Sequence, residues 1–191
     1  DMAYDDFQVF QFLTNASTGA TSLQLTNAGE VSVRGLETEL TWVPVDTLRL
    51  QANVTWLDAQ YDVFENPGDG GETFTGNQLP YAPDLKYYLG AQYIYALADG
   101  NLTFDVDYTY ADNQFTDPGN AAIDEIDSYS LLGARAAYTP NDGSWELALW
   151  GRNINDKAYT KVNNDNFLGF ARTVWGDPRL YGLTFSYFFG G

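Results

Sequence analysis

Residues 181–189 read YGLTFSYFF, and their alternation decides the fold. Tyr181, Leu183, Phe185, Tyr187 and Phe189 fall on one side of an extended chain. Gly182, Thr184 and Ser186 fall on the other, with Phe188 out of pattern. A period of two marks a β-strand, because successive side chains point to opposite faces. Here one face is large and aromatic and the other small and polar. In a soluble sandwich the large face would meet a second sheet. In an outer-membrane barrel it would meet lipid, with the small face turned to a wet lumen.

The same alternation recurs upstream. Leu48, Leu50, Ala52, Val54 and Trp56 share one face, against Arg49, Gln51, Asn53 and Thr55. Tyr87, Leu89, Ala91, Tyr93, Tyr95 and Leu97 form an apolar face. After the turn Ala98-Asp99-Gly100, Leu102, Phe104, Val106, Tyr108 and Tyr110 form another, alternating with Asn101, Thr103, Asp105, Asp107 and Thr109. These two stretches read as a hairpin, each long enough to cross a bilayer at a tilt, which takes about 9–11 residues. The remaining strands are expected at residues 6–13, 31–43, 127–138, 144–153 and 179–189. That makes about eight, antiparallel and all-β. Short turns at 44–46, 97–100 and 140–143 alternate with long loops at 14–30, 65–83, 112–126 and 154–178. One rim of tight turns and one of long loops is the asymmetry of outer-membrane barrels.

Composition agrees. The chain has 191 residues, with 14 Tyr, 12 Phe and 5 Trp, and many of the Tyr and Trp fall near expected strand ends, where amphipathic rings sit at headgroup level. It has no Cys and no His, which excludes disulfide scaffolds, thiol nucleophiles and His-based metal or triad sites. A net charge of −17 argues against nucleic acid as a partner, since phosphates need Lys and Arg. No apolar run reaches the 18 or more residues of a transmembrane helix. The N-x-Ser/Thr sequons at Asn15, Asn53 and Asn101 read as chance matches. No cofactor is expected.

Charge facing lipid at mid-depth is costly, about 2–4 kcal/mol for a basic residue and less for an acid. Glu37, Glu39, Arg49, Asp105, Asp107, Arg135, Glu146 and Arg152 are therefore expected to face the lumen. One reading makes them a hydrated wall whose charges pair with one another, with water and with a plug. The other makes them catalytic or ligand-tracking: Glu37 and Glu39 share a face about 7 Å apart by strand rise, a spacing that glycosidase carboxylates also use. The acidic loop segments at 124–127 and 163–166 have oxygen chemistry for Ca²⁺ but lack the spacing of a dedicated loop. They read as solvated charge, with loose cation bridging to lipopolysaccharide as an intermediate possibility. Phe74, Phe115, Phe167, Phe170 and Trp175 are loop aromatics that either roof a substrate pocket or pack loop on loop.

Four stretches together resemble the C-terminal part of the barrel of TonB-dependent outer-membrane receptors. NAGEVSVRGLETELTW (27–42) is similar to that family's N-x-G-x-x-x-x-x-G-x-E-x-E pattern. GNQLPYAPDLKYYLG (76–90) resembles its G-x-x-L-P-x-x-P re-entry. WELALWGRNINDKAY (145–159) resembles the penultimate strand with N-x-x-D-x-x-Y. GDPRLYGLTFSYFF (176–189) is similar to the terminal signature, although Gly190 and Gly191 follow where the family ends on an aromatic residue. The resemblance implies the final third or so of a plugged, 22-stranded barrel in the bacterial outer membrane. It also implies active uptake of a scarce, bulky nutrient such as an iron–siderophore, a cobalamin or an oligosaccharide, energised through TonB. The implied partners are outer-membrane lipid and lipopolysaccharide, the remaining strands and plug, and the TonB complex acting through an N-terminal part with its TonB box. Three rivals stand beside it: a complete eight-stranded barrel of structural or adhesive role, a barrel hydrolase, and a soluble carbohydrate-binding sandwich. No His is present to serve the hydrolase as base.

Overall fold

The computed structural model describes residues 1–14, 17–65, 73–165 and 170–189. Twelve strands follow in order: β1 (Met2–Thr14), β2 (Thr21–Val45), β3 (Leu48–Val63), β4 (Leu85–Ala96), β5 (Gly100–Ala111), β6 (Gln114–Phe115), β7 (Glu125–Ile126), β8 (Tyr129–Pro140), β9 (Trp145–Arg152), β10 (Thr160–Asp165), β11 (Ala171–Trp175) and β12 (Leu180–Tyr187). Among the described residues the one helical element is a three-residue 3-10 turn, Ala122–Asp124, and no helix is long and apolar enough to cross a membrane. Eight strands form one antiparallel sheet in the order β1-β2-β3-β4-β5-β8-β9-β12. The sheet is open. β1 and β12 lie at its two ends and are not paired with each other. The pairs β10-β11 and β6-β7 are small separate hairpins in the long loops.

Because opposed residues of an antiparallel ladder share a face, the register fixes the sidedness of the sheet. Trp42, Leu50, Ala91 and Val106 face each other across four strands, as do Leu40, Ala52, Leu89 and Tyr108. From β5 the row continues as Val106, Ala134 and Gly151, then Tyr181. Leu149 stands opposite Leu183, and Leu147 opposite Phe185. This face carries the large exposed hydrophobics: Leu36 is 65 % exposed, Trp56 50 % and Leu183 69 %. An apolar surface continuous over seven strands exceeds what a water-soluble monomer leaves bare. Its rims are aromatic: Trp56, Tyr87, Tyr110 and Tyr181 towards the long loops, Trp42, Tyr95, Tyr138, Trp145 and Tyr187 towards the tight turns.

β1 departs from expectation. A strand covering residues 6–13 is present, but among the described residues it pairs only with Thr21–Val33 of β2, with Met2 opposite Val33. The expected loop at 14–30 is thereby mostly strand. β2, at 25 residues, is far longer than the ~10 that cross a bilayer, so its first half and β1 project beyond the apolar face. A small core steadies the projection: Val9, Ala28, Val31, Tyr61 and Phe64 are buried, and Phe7, Val33, Phe74 and Leu79 pack against them. At the level of the apolar band the sheet therefore has seven strands, ending at the lower half of β2 and at β12.

Candidate functional site

The register puts Glu37, Glu39, Arg49, Asp105, Asp107, Arg135, Glu146 and Arg152 on one face of the sheet. Glu37 stands opposite Thr55, Glu39 opposite Asn53, and Arg49 opposite Gln92. Gln92 opposes Asp105, Asp105 opposes Arg135, and Asp107 lies between Gly90 and Gly133. Arg135 opposes Trp150, Glu146 opposes Ser186, and Arg152 opposes Leu180. This polar face is the reverse of the apolar one at every strand of the band.

Its centre is an ion triad. Arg135 reaches Asp105 at 3.6 Å through Nη1 and donates a hydrogen bond to Glu146 Oε1 through Nη2. Gln92 Nε2 donates to the other Asp105 oxygen at 2.8 Å. The three charged side chains are about one-third exposed, 35 %, 33 % and 27 % for Arg135, Asp105 and Glu146. Two residues along β5, the Asp107 carboxylate folds over Gly133, where an added Cβ would collide with Oδ1. Any larger residue at 133 would displace it. The Arg152 guanidinium lies 5.3 Å from the Trp150 ring centre, a cation–π contact, and Trp150 covers Gly182 while its Nε1 donates to Thr184 Oγ1 at 3.0 Å. Glu37, Glu39 and Arg49 make no ion pair with a described residue and point into the space the sheet faces.

The loops form a second layer. The residues after β3 run back along it, with Gly76, Asn77 and Leu79 bonded through their backbones to Tyr61 and Ala59. They also clasp the β5–β8 connection: Asn77 Nδ2 donates to the Pro118 carbonyl at 2.8 Å, and the Asn120 side chain bonds both the N–H and the C=O of Gln78. That connection in turn holds the β10–β11 hairpin, because Asn163 Nδ2 donates to the Glu125 carbonyl at 2.6 Å and Thr116 Oγ1 donates to the Asn163 carbonyl. Three long loops are thus joined by carboxamide clasps.

A fourth clasp gathers residues from two separate stretches. Asn153, with φ of 48°, donates to the carbonyls of Lys157 and Asp177 and accepts the Lys157 N–H. Asn155 caps the top of β8 by bonding Leu132 N–H and Ser130 C=O. Asp156 pairs with Arg179 at 3.1 Å, and Tyr159 lies over Gly176. Periodicity gives no hint of these partners; the one signal in the sequence is the spacing N-x-x-D-x-x-Y followed by G-x-P-R.

The described loop aromatics do not converge on one pocket. Phe74 packs edge-on against Phe64 with centroids 5.2 Å apart, inside the projecting core. Phe115 is in β6, and its carbonyl accepts the Tyr81 N–H at 2.9 Å. Phe170 and Trp175 are exposed, Trp175 beside a depression of about 380 Å³ that includes Lys157, Tyr159 and Asp177. Phe167 lies outside the described residues. Of the acidic segments, 124–127 supplies backbone to the clasps, and no group of three acids arranged to hold a metal occurs among the described residues.

The Tyr61 hydroxyl, in the projecting core beyond the apolar band, has no hydrogen-bond partner among the described residues. Burial, and then the charge of Asp117, push its phenol up to about 12.

An open antiparallel sheet, apolar outside and charged within, with clasped loops on one rim, is the wall of a membrane barrel. The family profile described as TonB dependent receptor-like, beta-barrel, matches residues 1–154. The chain belongs to this family. Its members are transport receptors whose barrels sit in the outer membrane. Among solved structures, the chain superposes on the ferric yersiniabactin uptake receptor FyuA from Yersinia pestis with a TM-score of 0.75 at 16 % identity, over 96 % of this chain and 25 % of that one. The siderophore receptor PiuA from Acinetobacter baumannii gives 0.67 at 23 % identity, over 84 % and 22 %. The ferric citrate transporter FecA gives 0.64 at 26 % identity, over 83 % and 24 %. The chain therefore spans about a quarter of the length of these receptors.

Proposed function

We propose that this chain is one part of the wall of a larger, plugged outer-membrane barrel that imports a scarce, bulky nutrient, with an iron–siderophore complex as the leading candidate. The observation that carries this is the sidedness of the open sheet. Seven band-level strands keep every charge on one face and every large hydrophobic rim on the other, yet neither edge is closed. A complete eight-stranded barrel would pair its first strand with its last, and β1 and β12 stand at opposite ends. Unpaired backbone groups inside a bilayer cost several kcal/mol each, so both edges need further strands.

In this reading Glu37, Glu39 and Arg49 meet the plug or lumenal water, and the Asp105–Arg135–Glu146 triad braces the wall between strands. The long loops, with Phe170 and Trp175 exposed on them, take part in admitting the ligand. Energy comes from the TonB complex acting on parts outside this chain. The assignment is to transport and not to catalysis: the lumenal carboxylates pair with arginine or face water, and none is set against a nucleophile or base. Iron as cargo rests on FyuA, PiuA and FecA being named for ferric or siderophore ligands.

The test is growth on iron-limited medium with a panel of ferric siderophores, comparing cells with the intact receptor gene, a deletion, and the intact gene in a TonB deletion. The proposal expects at least one ferric complex to support growth in the first strain and in neither of the others. Growth that is independent of both deletions on every complex would contradict iron uptake.

A further inference from the structure

The acidic loop segments 124–127 and 163–166 are far apart in sequence, and the fold sets one on the other. The β10–β11 hairpin docks on the turn Ala122–Asp124 and on β7. Asn163 makes the joint, its Nδ2 donating to the Glu125 carbonyl at 2.6 Å and to Thr160 Oγ1 at 3.1 Å. Thr116 Oγ1 is within hydrogen-bond reach of two carbonyls, those of Asn163 and Asp124. The Asp124 carbonyl also accepts the Thr116 N–H at 3.0 Å. Oxygens from both segments are thereby drawn together: Thr116 Oγ1, Thr160 Oγ1, Asn163 Oδ1 and the carbonyls of Asp124, Glu125 and Asn163. Asp124 is itself buried, 6 % exposed, and the Glu125 carboxylate is held by Asn113 Nδ2 at 3.1 Å.

Hydrogen bonding leaves this cluster short of protons. The single hydroxyl proton of Thr116 cannot serve two carbonyls, and each carbonyl oxygen has two lone pairs to fill. Asn163 Oδ1 is buried and has no partner among the described residues, a costly state for an acceptor. Lys161, the basic residue of β10, does not supply the missing donor, being paired with Asp177 at 3.3 Å. What suits an excess of oxygen is a hard cation. Ca²⁺ takes about 6–8 oxygens in irregular geometry, backbone carbonyls and Asn side chains among them, whereas Mg²⁺ demands a near-ideal octahedron and keeps its waters. Metals that seek thiolate or imidazole find neither in a chain without Cys or His. The linear spacing that each segment lacks is not needed when two loops share the ligands.

We propose that Ca²⁺ binds here, between the β5–β8 connection and the β10–β11 hairpin, and pins the hairpin that carries Trp175. The cation is structural and not cargo, so the site stands apart from the identity of the transported ligand. With the Asp124 carboxylate set among neutral oxygens, its affinity belongs with extracellular modules, about 10⁻⁴–10⁻³ M. The full receptor carrying this chain is held in lipopolysaccharide-free detergent micelles with Ca²⁺, Mg²⁺ or chelator. Trypsin cleavage after Lys161 and Arg172, one on each strand of the hairpin, is followed by mass spectrometry, each rate scaled to that on a free peptide in the same buffer. Ca²⁺ should slow both cuts at least fivefold, with a midpoint in that range, and equal Mg²⁺ should slow neither more than twofold. Asn163→Asp separates a cation site from a plain hydrogen-bonded clasp. It discards the Nδ2 donors and adds a charged oxygen, so the Ca²⁺ midpoint should fall at least fivefold, whereas a clasp alone would loosen and be cut faster with or without Ca²⁺. Thr116→Val, similar in size but lacking the hydroxyl, should raise the midpoint at least threefold. Both variants are checked for wild-type gel mobility before and after heating. Equal cleavage of the wild type in Ca²⁺ and chelator would overturn the site whatever the variants do. A midpoint unmoved by both substitutions, or faster cutting of Asn163→Asp in Ca²⁺, would do the same. Equal protection by Mg²⁺ would overturn the choice of cation.

Discussion

Arginine placed at successive positions of β5 measures the lipid contact in energy. Leu102, Phe104 and Val106 lie on the apolar face, opposite Tyr95, Tyr93 and Ala91 of β4. Between the rim pairs Tyr95–Leu102 and Tyr87–Tyr110 the strand rises about 27 Å, which puts Val106 at the middle and Phe104 about 7 Å below it along the strand. A basic residue on the lipid face of a barrel costs about 2–4 kcal/mol at mid-depth and about 0–1 near the interface. The account therefore orders the costs: Val106→Arg at about 4, Phe104→Arg at about 2–3, Leu102→Arg at about 1 kcal/mol. Thr103→Arg faces the other way, two residues along from Asp105, and should cost less than about 1 kcal/mol. The assay is urea-driven unfolding of the full receptor in lipid vesicles, read by tryptophan fluorescence and by the shift in gel mobility. A gap of 2 kcal/mol between Phe104→Arg and Thr103→Arg is about a 30-fold difference in folding equilibrium. Equal costs for the two, or a larger cost for Thr103→Arg, would refute the assignment of faces.

Arg135→Ala should destabilise the barrel by about 1–2 kcal/mol, since it leaves Asp105 and Glu146 unneutralised at sites that are only partly screened by water; adding Asp105→Asn and Glu146→Gln should recover most of the loss in the same unfolding assay. Asn153→Ala forfeits three hydrogen bonds and places a Cβ-bearing residue at positive φ without a local bonding partner, for about 3 kcal/mol in all; Asn153→Gly keeps the backbone geometry and should cost about 1 kcal/mol less, visible as a smaller drop in thermal midpoint. Tyr61→Phe removes a buried hydroxyl with no partner and should stabilise by about 1–3 kcal/mol at neutral pH. Because burial raises the folded phenol to about 12 against about 10 in the unfolded chain, the native state alone keeps its proton between those values. Stability in the wild type is then full below pH 10 and falls by about 2–3 kcal/mol as pH rises to 12. Tyr61→Phe should abolish that part of the alkaline loss.

Sidedness was legible because it is written in the strictest code a sequence has. A one-residue slip would have exchanged Phe104 for Asp105 on the outer face, so the charges at Glu37, Glu39, Asp105, Asp107, Arg135 and Glu146 could occupy one register only. The upper half of β2 was hidden for the opposite reason. Residues 21–30, TSLQLTNAGE, alternate only briefly, with Leu23 and Leu25 between Ser22, Gln24 and Thr26, before loop-forming Asn27 and Gly29; they are strand because β1 pairs with them and a core forms around Tyr61 and Phe64. The clasps were hidden too. Asn77, Asn120, Asn153 and Asn163 act through partners distant in sequence, and Asn120, Asn153 and Asp156 adopt the left-handed backbone that Asn and Asp tolerate best. Phe74 shows the limit of reading a loop aromatic as a ligand contact: its ring is occupied by Phe64.

The most direct test of the central claim, that this sheet is a membrane wall with its charges inward, is a cysteine scan of β5 from Leu102 to Tyr108 in the full receptor. This chain has no cysteine of its own. With a nitroxide at each position in turn, collision with oxygen, which concentrates in lipid, should peak at Leu102, Phe104, Val106 and Tyr108. Collision with a water-soluble nickel chelate should peak at Thr103, Asp105 and Asp107. The opposite phase, or equal access of the chelate to both sets, would contradict the account.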